Sequence, residues 1–237
     1  VNYLDTAYAY GKSESIVGRA LENGYREKAV LATKNPVWEI SSHSDFEKIL
    51  DEELKRLKTD CIDVYLLHDL NTKHWEYVKQ YDGLTFMDKM VEKGKIKHKA
   101  FSFHGPYDHF VNVLNAFDWE MAQIQLGILD DTFQAGVKGL KRASEKGLPV
   151  VAMEPLRGGA LSDYVPDEVT RIVNDYSEKR SLIEWAFRWL YDMPEVTTVL
   201  SGTGTLDQLK ENIAIFDKAD FNVLSEKDRE FITQIKE

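Results

Sequence analysis

A parallel α/β fold, closed as a (β/α)8 TIM barrel, is the architecture this 237-residue sequence predicts. Three observations carry the prediction. Strand-like and helix-like segments alternate with short connections, as in parallel strands joined by crossover helices. The fingerprint of an open dinucleotide-binding sheet, Gly-x-Gly-x-x-Gly after the first strand, is missing. Finally, three early apolar runs each lead to polar residues: 2–5 ends on Asp5 and leads on to Tyr10, 29–33 ends on Lys34, and 61–67 ends on His68. Parallel barrel strands share one mouth at their C-terminal ends, so these residues are expected to converge. Only seven strands are counted, because the sequence opens directly on the run that carries Asp5. The expectation is one barrel domain over 1–237 lacking its first strand, with a truncated N-terminus.

Each element has its own signal. After the first strand a helix is expected over 13–25, then the strand 29–33. Ser44, Asp45, Phe46 and Glu47 read as a capping box, and Phe46, Ile49, Leu50, Leu54 and Leu57 follow at helical spacing. The strand 61–67 comes next, then a helix over 84–93 stopped by Gly94 and a strand over 99–103. Pro106 opens a helix to about residue 117. The fifth strand covers 121–126, a helix 133–146 and the sixth strand 148–153. Helices over 167–176 and 181–191 precede the seventh strand, 196–200. Thr205 and Gln208 cap the next helix, and Ser225 opens the last.

Composition sets outer bounds. With 43% hydrophobic residues the chain can bury a sizeable core. A net charge of −10 argues against binding along a nucleic-acid backbone, which needs clustered Lys and Arg. The basic stretch 89–99 is interrupted by Met90, Val91 and Ile96 and reads as a helix end followed by a strand. Cys61 is the only cysteine, which excludes an intramolecular disulfide and an iron–sulfur cluster within this chain. No apolar run has the ~18 residues of a membrane span, and no basic-then-apolar leader opens the sequence. A soluble, cytoplasmic protein without membrane or nucleic-acid partners is the expectation.

Several motifs, taken in order, carry a resemblance. Asp5-Thr6-Ala7-Tyr8-Ala9-Tyr10-Gly11, Lys34 at a strand end and Asp63-Val64-Tyr65-Leu66-Leu67-His68 are followed by Phe101-Ser102-Phe103-His104 and Gln123-Ile124-Gln125. Then come Glu154-Pro155-Leu156-Arg157-Gly158-Gly159, Ser201-Gly202-Thr203 and Glu211-Asn212. Across nearly the whole chain this resembles the aldo-keto reductases, most closely the prokaryotic branch that often carries a C-terminal ferredoxin-like tail, absent here. The resemblance implies an oxidoreductase that reduces an aldehyde or ketone to an alcohol with NADPH or NADH, and a catalytic set of Asp5, Tyr10, Lys34 and His68.

The chemistry asks for those residue types independently. Hydride reduction leaves negative charge on the carbonyl oxygen, so a proton donor and polar groups must lie there. Tyr10 is the candidate donor; a free phenol ionises near pH ~10, and an adjacent ammonium favours the phenolate. Lys34 would supply that charge, Asp5 would hold Lys34, and His68 would orient the carbonyl or relay the proton. Singly, each residue reads as half-buried packing, a loop cap or a solvated strand end; joint occurrence at strand ends favours the catalytic reading.

By the same resemblance Ser102 and Gln123 would bind a nicotinamide carboxamide, although Phe103 stands where the family has Asn. Met153 would replace the usual stacking aromatic. Leu156, Gly158 and Gly159 would lie near the pyrophosphate, with Gly202, Thr203, Gln208, Glu211 and Asn212 toward the adenosine. No Arg stands in 201–212, Gln208 takes the place of a phosphate-binding Arg and Asp207 would repel a phosphate, so NADPH is only slightly favoured over NADH. Trp38 and His104 are the candidate substrate residues, for a small-molecule carbonyl compound. Two other classes stay open: a nucleotide-binding regulatory or scaffold subunit, and a barrel metallohydrolase built on His68, Asp69, His104 and Asp108. The metallohydrolase reading leaves Tyr10 and Lys34 unexplained, and no metal is expected.

Overall fold

A computed structural model describes all 237 residues. The strands are β1 (Tyr3–Asp5), β2 (Val30–Asn35), β3 (Ile62–Leu70), β4 (Ile96–Phe103), β5 (Met121–Gln125), β6 (Val150–Met153) and β7 (Val196–Val199), and their order in the sheet is their order in the chain. Helices α1 (Ser13–Ala20), α2 (His43–Leu57), α3 (Thr72–Gln80), α4 (Gly83–Glu92) and α5 (Tyr107–Asn115) belong to a first compact unit, Val1–Gln123. Helices α6 (Gly136–Glu145), α7 (Ala160–Asp163), α8 (Asp167–Asp175), α9 (Leu182–Tyr191), α10 (Leu206–Phe216) and α11 (Glu226–Lys236) belong to a second, Ile124–Glu237. This is the strand order of a (β/α)8 barrel with seven of its eight strands. No helix is long and apolar enough to cross a membrane.

In the first unit β1 pairs with β2, β2 with β3 and β3 with β4, all parallel. From Leu31 on, every residue of β2 is buried, as expected of a parallel strand covered on both faces. The helix α2 turns Phe46, Ile49, Leu50 and Leu57 inward at the predicted spacing. Its cap is not the predicted one: the N–H and hydroxyl of Ser42 donate to Asp45 Oδ2 at 2.7 and 2.9 Å, two residues before the expected Ser44/Glu47 pair. The helix therefore starts at His43, directly after Ser42, which is still extended. The helix expected over 13–25 ends at Ala20, because Asn23 and Gly24 take positive φ and cannot continue it. Within α1, Gly18 abuts α2 so closely that a Cβ would lie 2.5 Å from Arg56 O. The segment after β3 contains a helix, α3, absent from the sequence reading; Asn71 caps it by accepting the N–H groups of Lys73 and His74.

In the second unit β6 and β7 pair in parallel. Its core gathers Trp185, Leu182, Phe231 and Ile232, with Tyr176 stacked on Phe231 at 3.9 Å between ring centroids. The cap expected at Thr205/Gln208 is present as a capping box, and Ser225 opens the last helix as expected, with a box closed by Asp228. A bidentate pair, Arg157 on Asp130 with a 2.7 Å contact from Nη2, ties the loop after β6 to the loop after β5.

Candidate active site

Three neighbouring strands of the first unit deliver polar side chains at their C-terminal ends. Beyond β1 the backbone continues alongside β2, with Thr6 N–H on Ala32 O at 2.9 Å and Tyr8 N–H on Lys34 O at 3.3 Å. It then turns at Gly11, whose φ of +59° favours glycine, and this turn holds Tyr10. Lys34 is fully buried, and its Nζ donates to Asp5 Oδ2 at 2.5 Å and to Thr6 O at 2.8 Å. The same ammonium lies 4.8 Å from the centroid of the Tyr10 ring. His68 meets that ring edge-on, with centroids 5.8 Å apart. Tyr10 is 49% exposed, so the least buried of the four is the proton-donor candidate. Asp5, Tyr10, Lys34 and His68 are thus brought together as predicted.

Electrostatics separates their states. Burial pushes the Asp5 carboxyl up and the adjacent Lys34 draws it back. Asp5 Oδ1 has no hydrogen-bond partner, so the pair depends on the single Oδ2 contact. Burial first, then the positive charges of Lys34, His104 and His74, pushes His68 from its ordinary 6.5 down to about 3. Its imidazole is therefore neutral at physiological pH, with Nδ1 buried and unpartnered.

An aromatic shelf adjoins His68. Trp38, on the short turn after β2, lies 5.1 Å from the His68 ring and 5.5 Å from that of His74, and Tyr77 stacks on His74 at 6.3 Å. His74 is fixed by Asp69, with Nδ1 2.7 Å from the backbone oxygen and 3.2 Å from Oδ2. Asp69 sits at φ +52° where the β3–β4 register shifts, and its N–H donates to Ser102 Oγ at 2.8 Å. His74 lies in the segment 68–81, which the sequence offers as substrate-facing through Trp75 and Tyr77 without singling out this histidine; the signal available was Asn71 as an N-cap followed by Trp75 and Val78 at helical spacing. Ser102 and Gln123 are both buried, at the end of β4 and within β5. The Ser102 oxygen accepts from Asp69, which leaves its hydroxyl proton to donate to a ligand carbonyl. His104 follows β4, with its N–H on Leu70 O.

The second unit supplies the remaining predicted residues, and here main chain dominates. Met153 ends β6 and is buried. After it, Arg157, Gly158 and Gly159 run through positive φ values of 51, 61 and 93°, and a Cβ at Gly158 would meet nothing within 4 Å, so that backbone is open to close approach by a phosphate. Gly202 beyond β7 is equally open. Gln208 differs from expectation in being already engaged: its Oε1 accepts the N–H groups of Gly204 and Thr205 at 2.8 and 3.2 Å. Asn212 donates to Ser201 Oγ at 2.8 Å, and Glu211 is within 3.5 Å of Ser181 Oγ. Taken by itself, the first unit offers at Ser102 a donor of the kind a carboxamide takes, and the second offers at Gly158 and Gly202 open backbone of the kind a phosphate takes.

Comparison with known proteins follows this geometry. The aldo/keto reductase family model matches residues 1–237. The NADH-specific methylglyoxal reductase of Escherichia coli strain K12 is 25% identical, over 90% of this chain and 78% of that protein. The uncharacterized oxidoreductase YqkF of Bacillus subtilis is 28% identical, over 90% and 77% respectively. Among solved structures, the holo form of aldo-keto reductase AKR11C1 from Bacillus halodurans has a TM-score of 0.83 at 25% identity, covering 100% of this chain and 83% of that one. An aldo/keto reductase from Klebsiella pneumoniae, in complex with NADP and acetate, shares the fold with a TM-score of 0.80 at 23% identity, over 100% and 80% of the two chains. Strand order, strand-end chemistry and a family pattern running through residues 1–237 converge on one assignment: the chain belongs to the aldo/keto reductase family.

Proposed function

We propose that this protein reduces an aldehyde or ketone to the alcohol, with Tyr10 as general acid. The observation that carries the reading is the cluster in which Lys34, bonded to Asp5, stands 4.8 Å from the Tyr10 ring with His68 at its edge. When bound, a reduced nicotinamide cofactor supplies the hydride to the carbonyl carbon. The phenol proton of Tyr10 goes to the carbonyl oxygen, and the Lys34 charge stabilises the phenolate that remains. Because Tyr10 is half exposed, solvent can return the proton. Asp5 keeps Lys34 oriented, and neutral His68 offers one N–H to steer the carbonyl.

The other assignments extend this reading. Ser102 and Gln123 would hold the carboxamide of the cofactor, and Met153 would take the place of the aromatic that stacks on its ring. Leu156, Gly158, Gly159, Gly202 and Thr203 serve the pyrophosphate side, and Gln208, Glu211 and Asn212 the adenosine side. The cofactor is NADPH or NADH, with NADPH slightly favoured by the family habit; an NADH-specific relative and the lack of Arg in the matching stretch 201–212 weigh the other way. Trp38 and His104 flank the substrate, and the Trp38–His68–His74 shelf suits small or planar carbonyl compounds.

The test is nicotinamide oxidation followed by absorbance with a panel of aldehydes, methylglyoxal included, for the native protein and Tyr10→Phe. The variant should lose most of its rate while its nucleotide Kd stays within about twofold. A fall of less than about tenfold, or ~1.4 kcal/mol of barrier, would remove Tyr10 as the acid.

A further inference from the structure

Lys34 points toward Asp5 and Tyr10, while its neighbours Thr33 and Asn35 face the opposite side of β2, as strand alternation requires. All three are fully buried. On the outward side each neighbour is tied to a glutamate on a helix. Thr33 Oγ1 donates to Glu14 Oε1 of α1 at 2.7 Å. Asn35 Nδ2 donates to Tyr65 Oη at 2.9 Å and to Phe46 O at 3.2 Å, and Tyr65 Oη donates in turn to Glu53 Oε2 of α2 at 2.5 Å. Both glutamates are fully buried.

The only cation bonded to this cluster is Arg56, whose Nη1 donates to Glu14 Oε2 at 3.2 Å. One guanidinium cannot balance two buried carboxylates, and an unpaired buried charge is too costly to persist. Glu14 is bonded to Arg56 and Thr33, whereas no cation is bonded to Glu53. Burial and then the charge of Glu14 push Glu53 well above the usual carboxylate range. Tyr65 is pushed well above its own ordinary value by burial and by Glu53, so its hydroxyl keeps the proton it donates.

We propose that Glu53, as a neutral carboxylic acid acting through Tyr65 and Asn35, is a positioning residue that holds the end of β2 and so sets Lys34 against Tyr10. The inference rests on the reductase reading, in which Lys34 serves Tyr10. Displacing a catalytic group by about 1 Å can cost on the order of 100-fold in rate, so a buried clamp on its strand has leverage on chemistry without touching substrate.

The experiment compares kcat, KM and the pH profile of kcat for the native protein, Tyr65→Phe, Glu53→Gln and Tyr10→Phe, with folding checked by circular dichroism. Tyr65→Phe cuts the chain and should lower kcat at least about tenfold, leave KM within about twofold, and move the alkaline limb of the kcat profile upward, because a displaced ammonium no longer assists loss of the phenol proton. Glu53→Gln keeps a neutral acceptor for Tyr65 and a donor toward Glu14, and should retain kcat within about twofold. A Glu53→Gln loss as large as that of Tyr65→Phe overturns the neutral-acid role. A folded Tyr65→Phe with native kcat and pH profile overturns the positioning role, and if Tyr10→Phe is inactive in the same assay the reductase reading survives that failure. Should Tyr65→Phe not fold, Asn35→Ser cuts the same chain one bond later and carries the same expectations.

Discussion

The two units deploy their polar groups differently. In Val1–Gln123 the candidate catalytic side chains are bonded to one another before any ligand arrives: Lys34 to Asp5, with Tyr10 and His68 in ring contact. In Ile124–Glu237 the polar side chains predicted to face a nucleotide are spent on local structure, Gln208 on the cap of α10 and Asn212 on Ser201, and the neighbouring Arg157 is spent on Asp130. What the second unit leaves open is main chain at Gly158 and Gly202. Side-chain preorganisation suits a transition state whose charge develops at one atom, while backbone suits a pyrophosphate shared by many substrates' chemistry.

The largest effect is expected from breaking the preorganised pair. Lys34→Met should abolish measurable reduction and cost about 3 to 5 kcal/mol of stability, because Asp5 is left buried without its cation. Asp5→Asn placed on top of it removes the stranded charge, so the double variant should recover much of the stability and none of the activity. Denaturant titrations of both singles and the double test this. If the two stability losses simply add, the residues are not coupled and the contrast between the units dissolves.

How much of this was legible in the sequence follows from what each signal depends on. The βα alternation and the helix starts at Thr205 and Ser225 are local, and these signals were read correctly. Asp5, Lys34 and His68 were found because they end apolar runs, where parallel strands open onto a shared mouth. Two adjacent Ser-x-x-acid patterns, Ser42/Asp45 and Ser44/Glu47, compete at the start of α2, and only the backbone conformation decides between them. Glu14 and Glu53 were illegible for a different reason: within amphipathic helices a glutamate reads as solvated face, and its burial depends on partners 12 to 19 residues away. The engagement of Gln208 was half legible, since the cap was predicted but not its competition with a ligand.

A smaller effect tests the neutral histidine. The folded His68 titrates near 3 and the unfolded one near 6.5. Between those values the unfolded chain takes up a proton that the folded protein declines, so this residue's contribution to stability is intact above 6.5 and is lost as pH falls toward 3, by up to about 1.4 kcal/mol per pH unit. His68→Gln removes that proton. Its stability measured at pH 7, 5.5 and 4.5 should therefore fall less steeply than that of the native protein, and parallel curves would show that His68 is charged in the folded state.

The smallest effect concerns the second unit, where a substitution must compete with a cap. Gln208→Arg brings a guanidinium to the start of α10, where the exposed Asp207 and Glu211 compete for the new charge and reduce what a ligand gains from it. The same change deletes the oxygen that accepts the Gly204 and Thr205 amides, at a cost of about 0.5 to 2 kcal/mol in helix stability. A charge-assisted contact to the 2′-phosphate is worth about 1 to 3 kcal/mol, with the lower end expected at so exposed a position. The net expectation is a Kd ratio shifted roughly fivefold toward NADPH, most of it through tighter NADPH binding, together with a slightly lower Tm. Fluorescence titration with both nucleotides reads the ratio directly. A lowered Tm with an unchanged ratio means that the cap was lost and the 2′-phosphate does not reach α10, which would move the adenosine assignment away from Gln208, Glu211 and Asn212.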